Sequence, residues 1–219
     1  MGSSPWKAPR MWKGSTSYIL GGGPSLNLVD LSLIHDRRCI GVNNSFLLGP
    51  WVDVCWWGDM KWLMWHRKTL LFQYHGLVAS CNTNTGIIQR NSWVKFFRRG
   101  KPMGIDPRPG MISWNRNSGC SAINLAYHFG STRIVLIGFD MQEGPSGETH
   151  WHGGHAEAKV KYARKQKMRK VKARTLYERF RQTTAFIARD AGKLGVEILN
   201  ASPVSTIDVF PKVKLEDTL

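Results

Sequence analysis

The run Tyr18-Ile-Leu-Gly-Gly-Gly-Pro-Ser-Leu26 constrains the fold more than any other stretch of the chain. An apolar segment with β-branched and aromatic residues suits a buried strand, and here it stops at three glycines. Those glycines let the backbone turn tightly and leave no Cβ between its N–H groups and a ligand. Pro24 fits the first turn of a following helix, and Ser25 adds a hydroxyl there. Amides converging at a helix N-terminus form an anion site, most often for phosphate. The run is neither G-x-G-x-x-G nor a P-loop, since no Gly-Lys-Ser/Thr follows. Two readings stay open: a phosphate cradle of Gly21, Gly22, Gly23, Pro24 and Ser25, or a turn that merely joins strand to helix.

The rest of the chain alternates strand and helix signals. Strands are predicted over 16–20, 38–42, 52–57, 77–80, 92–99, 133–137 and 196–199, with 92–99 near an edge. Lys61–Leu71 carries Trp62, Trp65 and Leu70 at helical spacings. A second helix is predicted over 118–128, capped by Ser118 and closed by Gly130. A third covers 175–194, with Leu176, Phe180, Ile187, Ala191 and Leu194 on one side. The Pro- and Gly-rich stretch 101–114 reads as a loop. Strands separated by helices imply βαβ units in an α/β fold, a parallel sheet covered on both faces.

Polar or glycine residues follow nearly every strand: Gly21–Ser25, Asn43 and Asn44, Asp59, Asp140 and Asn200. In open α/β sheets ligands bind at that edge, near the topological switch point. Loops are polar anyway, yet repeated amides and carboxylates suit a site that hydrogen-bonds a ribose, a base and phosphates.

Thr149-His-Trp-His-Gly-Gly-His155 is the most reactive-looking stretch. A histidine near its ordinary pKa is a natural general acid or base, which makes His150 and His155 catalytic candidates alongside Asp140. The His-x-His-x-x-His spacing could instead ligate a metal with Asp140 as an oxygen ligand, although Gly153-Gly154 interrupts helical geometry. Or the loop is only polar. Trp151 could stack on a base or sugar, or simply pack the loop.

Net charge is +16, and Lys159–Arg181 alone holds eleven Lys/Arg against one acidic residue, Glu178. So dense a block favours polyanions such as nucleic acid, or is a solvated arm that aids solubility. No apolar run approaches the ~20 residues of a membrane span, and no membrane partner is expected. Four scattered cysteines without C-x-x-C spacing fit a reducing cytoplasm.

In order along the chain, Gly-Gly-Gly-Pro-Ser-Leu26, Gly-Val-Asn-Asn-Ser45, Asn117-Ser-Gly-Cys-Ser-Ala, Ile-Gly-Phe-Asp140 and the last histidine of the loop carry a resemblance. Together they resemble the bacterial sialyltransferases that use CMP-sialic acid. The same outline is similar to archaeal pterin diphosphokinases of the MptE-like group and, most nearly, to small tailed-phage proteins loosely labelled morphogenetic. The resemblance runs from about Tyr18 to Pro211. It implies a Rossmann-like single domain over 16–211, with a basic insertion at 156–181, an N-terminal extension over 1–15 and a tail over 212–219. For a phage protein the compartment would be the cytoplasm of a bacterial host.

By that resemblance Gly22, Gly23 and Asn43 would contact the nucleotide, and Ser118 and Gly119, after Asn117, the donor phosphate or carboxylate. Asp140 would bind the ribose and His155 would be the catalytic base. Asp59 stands where the sialyltransferases have Asn, and Trp151 where they use a Tyr near the donor phosphate. The implied activity is metal-independent, inverting transfer from a CMP-type nucleotide sugar, with DNA or another polyanion as acceptor. A diphosphokinase would instead use ATP and Mg²⁺ with carboxylates such as Asp59 and Asp140. A non-catalytic nucleic-acid-binding assembly protein would keep the scaffold and need no His155.

Overall fold

The computed structural model describes residues 4–84, 86, 90–153 and 166–219, and side chains in the last span from residue 176. In chain order the elements are β1 (Thr16–Leu20), β2 (Arg38–Val42), β3 (Val54–Trp57), α1 (Met60–Phe72), β4 (Leu77–Ser80), β5 (Lys95–Phe96), β6 (Arg98–Arg99), β7 (Met111–Ile112), α2 (Ser118–Phe129), β8 (Arg133–Ile137), α3 (Gln166–Leu194) and β9 (Glu197–Asn200). Seven strands form one sheet in the order β5-β4-β3-β2-β1-β8-β9, and every pairing within it is parallel. β6 and β7 make a two-stranded parallel ribbon, so 92–99 divides between the sheet edge and this ribbon, and 101–114 contains a short strand.

Alternation along β1 assigns the two faces of the sheet. Ile19 points into a cluster with Ile40, Trp56, Leu136 and the α2 residues Ile123, Ala126 and Phe129, which Ile187 and Ala191 of α3 complete. Tyr18 and Leu20 point the other way, onto Leu26, Ile34, Val135, Ile137 and Leu215. A third cluster joins Trp57 and Val78 to Trp62, Leu63 and Leu70 of α1. Both ends of the chain close on the core. Trp12 packs edge-on against Phe129 at 4.6 Å, and the Tyr18 hydroxyl donates to the Thr218 carbonyl at 2.9 Å.

The segment after β1 departs from expectation. Pro24–Leu28 forms a short 3-10 turn, and a second one follows at Leu31–Ile34. Side chains satisfy the first N–H groups of both turns. The Asp140 carboxylate takes the Ser25 N–H and the Asp30 carboxylate takes the Ser32 N–H, at 2.9 and 3.0 Å. The helix whose N-terminus reaches the cleft is therefore α2. Its cap is Asn117, not Ser118: the Asn117 side chain accepts from the Cys120 N–H at 3.0 Å. Gly130, left-handed at φ 96°, closes the helix as predicted.

All four cysteines are buried and free. Burial pushes the Cys81 thiol up to about 11 and Cys120 up to about 12, so both stay protonated and act as small apolar groups.

Candidate functional site

Chain order reverses between β1 and β8, and a cleft of about 560 Å³ opens over the C-terminal ends of these strands. That is where open α/β sheets place a ligand. Gly21, Gly22 and Gly23 form one wall, Gly138 to Gln142 another, and Arg116 to Gly119 a third. Val42, Asn43, Thr149 and His150 also line it, and Leu176, Tyr177 and Phe180 of α3 supply an apolar and aromatic side.

The three glycines do different work. The Gly21 N–H donates to the Ile137 carbonyl at 2.7 Å and the Gly23 N–H to the Gly138 carbonyl at 2.8 Å. These two amides tie the loop to β8 and do not face a ligand. A Cβ on Gly21 would sit 2.4 Å from the Gly138 oxygen, and one on Gly23 2.5 Å from the Asp140 Cγ. The Gly22 N–H has no partner among the described residues. The same holds for the N–H groups of Ser118 and Gly119 in the first turn of α2. Three amides without a partner among the described residues, two of them at a helix N-terminus, border a cleft that Arg116 also lines, its guanidinium 5.7 Å from the Trp114 ring centre, and that set favours an anion.

Among the described residues four non-glycine positions hold positive φ: Asn43, Asn115, Arg116 and Met141, at 52–53°. Asn43, Arg116 and Met141 all line the cleft. Left-handed backbone costs energy for such residues and collects at functional sites. The Asn43 Oδ1 is buried without a hydrogen-bond partner among the described residues, so it waits for a donor.

Of the expected site residues, the structure brings Gly21, Gly22, Gly23, Asn43, Asn117, Ser118, Gly119, Asp140 and His150 to the cleft. A Cβ built on Gly22 would stand 3.4 Å from His150 Nδ1, and the His150 ring stacks on His152 with centroids 5.2 Å apart. His155 lies outside the described residues, as do 159–165 of the basic stretch.

Other assignments need correction. Pro24 and Ser25 do not line the cleft; Ser25 is buried and gives both its N–H and its hydroxyl to Asp140. Both Asp140 oxygens thus hold the glycine loop, although its carboxylate edges the cleft. Asn44 turns into the core and accepts from the Trp62 indole N–H at 2.6 Å. Asp59 caps α1, its Oδ1 taking the Lys61 N–H at 2.7 Å and the Trp62 N–H at 3.3 Å, and it does not line the cleft. Trp151 packs against the second core cluster. Its N–H donates to the Gly22 carbonyl at 3.1 Å, and its indole N–H to the Ser45 hydroxyl at 3.3 Å. Trp151 clamps the histidine loop over the glycine turn and does not line the cleft.

Sequence reading missed Arg116 and Tyr177. Arg116 directly precedes the Asn117-Ser-Gly motif, and its position is the available signal. Tyr177 directly follows Leu176, a residue assigned to the core face of α3, but the sheet ends before the helix does. Leu176 and Phe180 therefore reach the cleft, while Ile187 and Ala191 stay in the core.

Fold and cleft together define a single-domain, Rossmann-like α/β protein with an open cleft at its switch point. No protein-family model matches the chain, and no curated protein matches its sequence. Among solved structures the chain is similar to the sialyltransferase CstII from Campylobacter jejuni, determined in complex with a substrate analogue, cytidine-5′-monophosphate. The TM-score is 0.57 at 14% identity, over 92% of this chain and 85% of that one. A likeness at this identity is one of fold. It bears on the sialyltransferase part of the sequence resemblance and not on the phage part. No described helix is long and apolar enough to cross a membrane, and no described group of His, Cys, Asp and Glu is arranged to hold a metal ion.

Proposed function

We propose that the protein is a glycosyltransferase that takes its sugar from a nucleotide-activated donor of the CMP type. The observation that carries this reading is that the Gly22, Ser118 and Gly119 amides, without partners among the described residues, border the same switch-point cleft that Arg116 lines. A phosphate seated there meets fixed dipoles and a cation, which take the leaving-group charge as it develops. The unpartnered Asn43 oxygen offers an acceptor to a base amino group or a sugar hydroxyl, and Tyr177 and Phe180 give the apolar side a base or sugar ring needs.

A histidine of the 150–155 loop takes the acceptor hydroxyl's proton as that oxygen attacks the anomeric carbon. The C–O bond to the nucleotide phosphate breaks, its electron pair leaves on the phosphate, and a single displacement inverts the centre. His155 is the base by the sequence resemblance; His150, against Gly22, is the cleft-lining alternative. General-base assistance of this kind is worth about 10²–10⁴-fold in rate. The basic stretch Lys159–Arg181 selects an acidic acceptor, DNA among them, through its charge.

A ligand panel tests the reading. The protein is melted with CMP, UMP, GMP, ATP and their sugar conjugates, with and without EDTA. Stabilisation by cytidine nucleotides that EDTA leaves unchanged supports it. An ATP shift that requires Mg²⁺ points to phosphoryl transfer instead. No nucleotide shift, with steeply salt-dependent DNA binding, points to a non-catalytic binding protein.

A further inference from the structure

We propose that the outward face of α1 docks on an anionic lipid surface. The helix buries Trp62, Leu63 and Leu70. At 100° per residue the opposite face carries Lys61, Met64, Trp65, Lys68, Leu71 and Phe72. Met64 and Leu71 run along one flank, Trp65 and Phe72 along the other, with the two lysines between them. Met64 is 65% exposed, Trp65 47%, Leu71 38% and Phe72 74%, and both lysines are exposed. Single exposed apolar residues are ordinary. Four on one side of one helix that has no Asp or Glu are not.

Three kinds of occupant compete for such a face, and the lysines decide among them. A protein partner would press on the middle of the face, but lysine is depleted from interface cores. A second copy, paired about a two-fold axis, would set Lys61 and Lys68 against their own like charges. At a bilayer the same arrangement is favourable. Trp, Phe, Leu and Met enter the boundary between head groups and acyl chains, and the lysine stems lie along them with their ammonium groups on lipid phosphates. The chain's +16 charge adds long-range attraction to an anionic leaflet. A helix lying in the interface needs no spanning run, so the absence of one in the sequence does not bear on this face. The inference is independent of the reaction proposed for the cleft.

The test is sedimentation of the full chain with vesicles of phosphatidylcholine, with and without phosphatidylglycerol, at low and high salt. Wild type should bind the phosphatidylglycerol vesicles and keep part of that binding at high salt. The Met64→Glu/Phe72→Glu double variant should lose about tenfold or more of it with an unchanged melting temperature, since both side chains are exposed. Phe72→Ser alone, a milder change, should show an intermediate loss. Several results would overturn the proposal: equal binding by wild type and variants, equal binding to both vesicle types, no binding, or binding wholly abolished by salt, which would assign it to the basic stretch. A concentration-dependent dimer that the double variant dissolves would do the same.

Discussion

The Asp140 carboxylate accepts hydrogen bonds from both the backbone N–H and the hydroxyl of Ser25, joining the end of β8 to the glycine turn after β1 across 115 residues of sequence. Both partners are buried, so the turn cannot drift from β8 without leaving polar groups unsatisfied. Asp140→Asn puts an amide NH₂ where one of two donors needs an acceptor. The expected cost is about 1–3 kcal/mol, or several degrees in melting temperature for a chain this size. CMP affinity should fall with it, because the cleft wall moves. Calorimetric melting and titration with CMP check both; loss of affinity at unchanged stability would instead mark Asp140 as a direct ligand contact.

Gly22 and Gly23 should separate fold from ligand binding. A Cβ at Gly23 lands 2.5 Å from Asp140 Cγ and 2.7 Å from both its oxygens, whereas one at Gly22 meets only His150 Nδ1 at 3.4 Å. Gly23→Ala should therefore destabilise the protein by about 1–3 kcal/mol. Gly22→Ala should melt like wild type and bind nucleotide less well, its methyl standing before a free amide. Paired melting curves and nucleotide titrations would show the contrast.

Arg116 is the charged side chain closest in sequence to the free amides of α2. Arg116→Ala should weaken CMP binding roughly tenfold to a hundredfold, as expected for a lost charge-assisted phosphate contact, and flatten its salt dependence. The melting temperature should not drop, because alanine also tolerates poorly, but no worse, the left-handed backbone at φ 52°. Isothermal titration at two salt concentrations reads the effect.

The histidine loop makes a kinetic prediction. If His155 is the base, His155→Ala lowers kcat by about 10²–10⁴-fold and leaves donor binding nearly intact, while His150→Ala raises KM for the donor more than it lowers kcat. The reverse pattern would move the base to His150. Steady-state kinetics with the donor found in the ligand panel distinguish the two.

Acid stability should depend on Asp106. The Arg108 guanidinium, with hydrogen bonds at 2.9 and 2.6 Å, holds this buried carboxyl down at about 2. A carboxylate with a depressed folded pKa stabilises the fold above its unfolded value near 4, and the contribution fades as pH falls towards 2. The difference is on the order of 2 kcal/mol. Wild type should lose melting temperature across that window, and Asp106→Asn should start lower and lose less.

Much of the architecture was legible because parallel strands announce themselves locally. Arg133–Ile137 and Arg38–Val42 are apolar runs that end at glycine or asparagine, and both are strands with those bounds. The glycine turn, the start of α2 after Asn117 and the gathering of polar residues at strand ends followed from the same local chemistry. Trp62 and Leu70 were readable as a buried helix face, but Trp65 at a similar spacing is half exposed, since periodicity does not say how wide the covered arc is.

The sequence by itself determined which residue types stand at the sheet's working rim: glycines, amides, a carboxylate and a histidine loop. Only the tertiary structure decided which of them remain available to a ligand. Gly21, Gly23, Ser25, Asn44, Asp59, Asp140 and Trp151 all carry suitable groups, yet each is bonded to a partner within the fold. Gly22, Ser118, Gly119 and Asn43 carry groups of the same kinds and keep them unspent among the described residues. The physical reason is that a buried polar group must be satisfied, and whether its partner is protein or ligand depends on what the fold brings within about 3 Å of it.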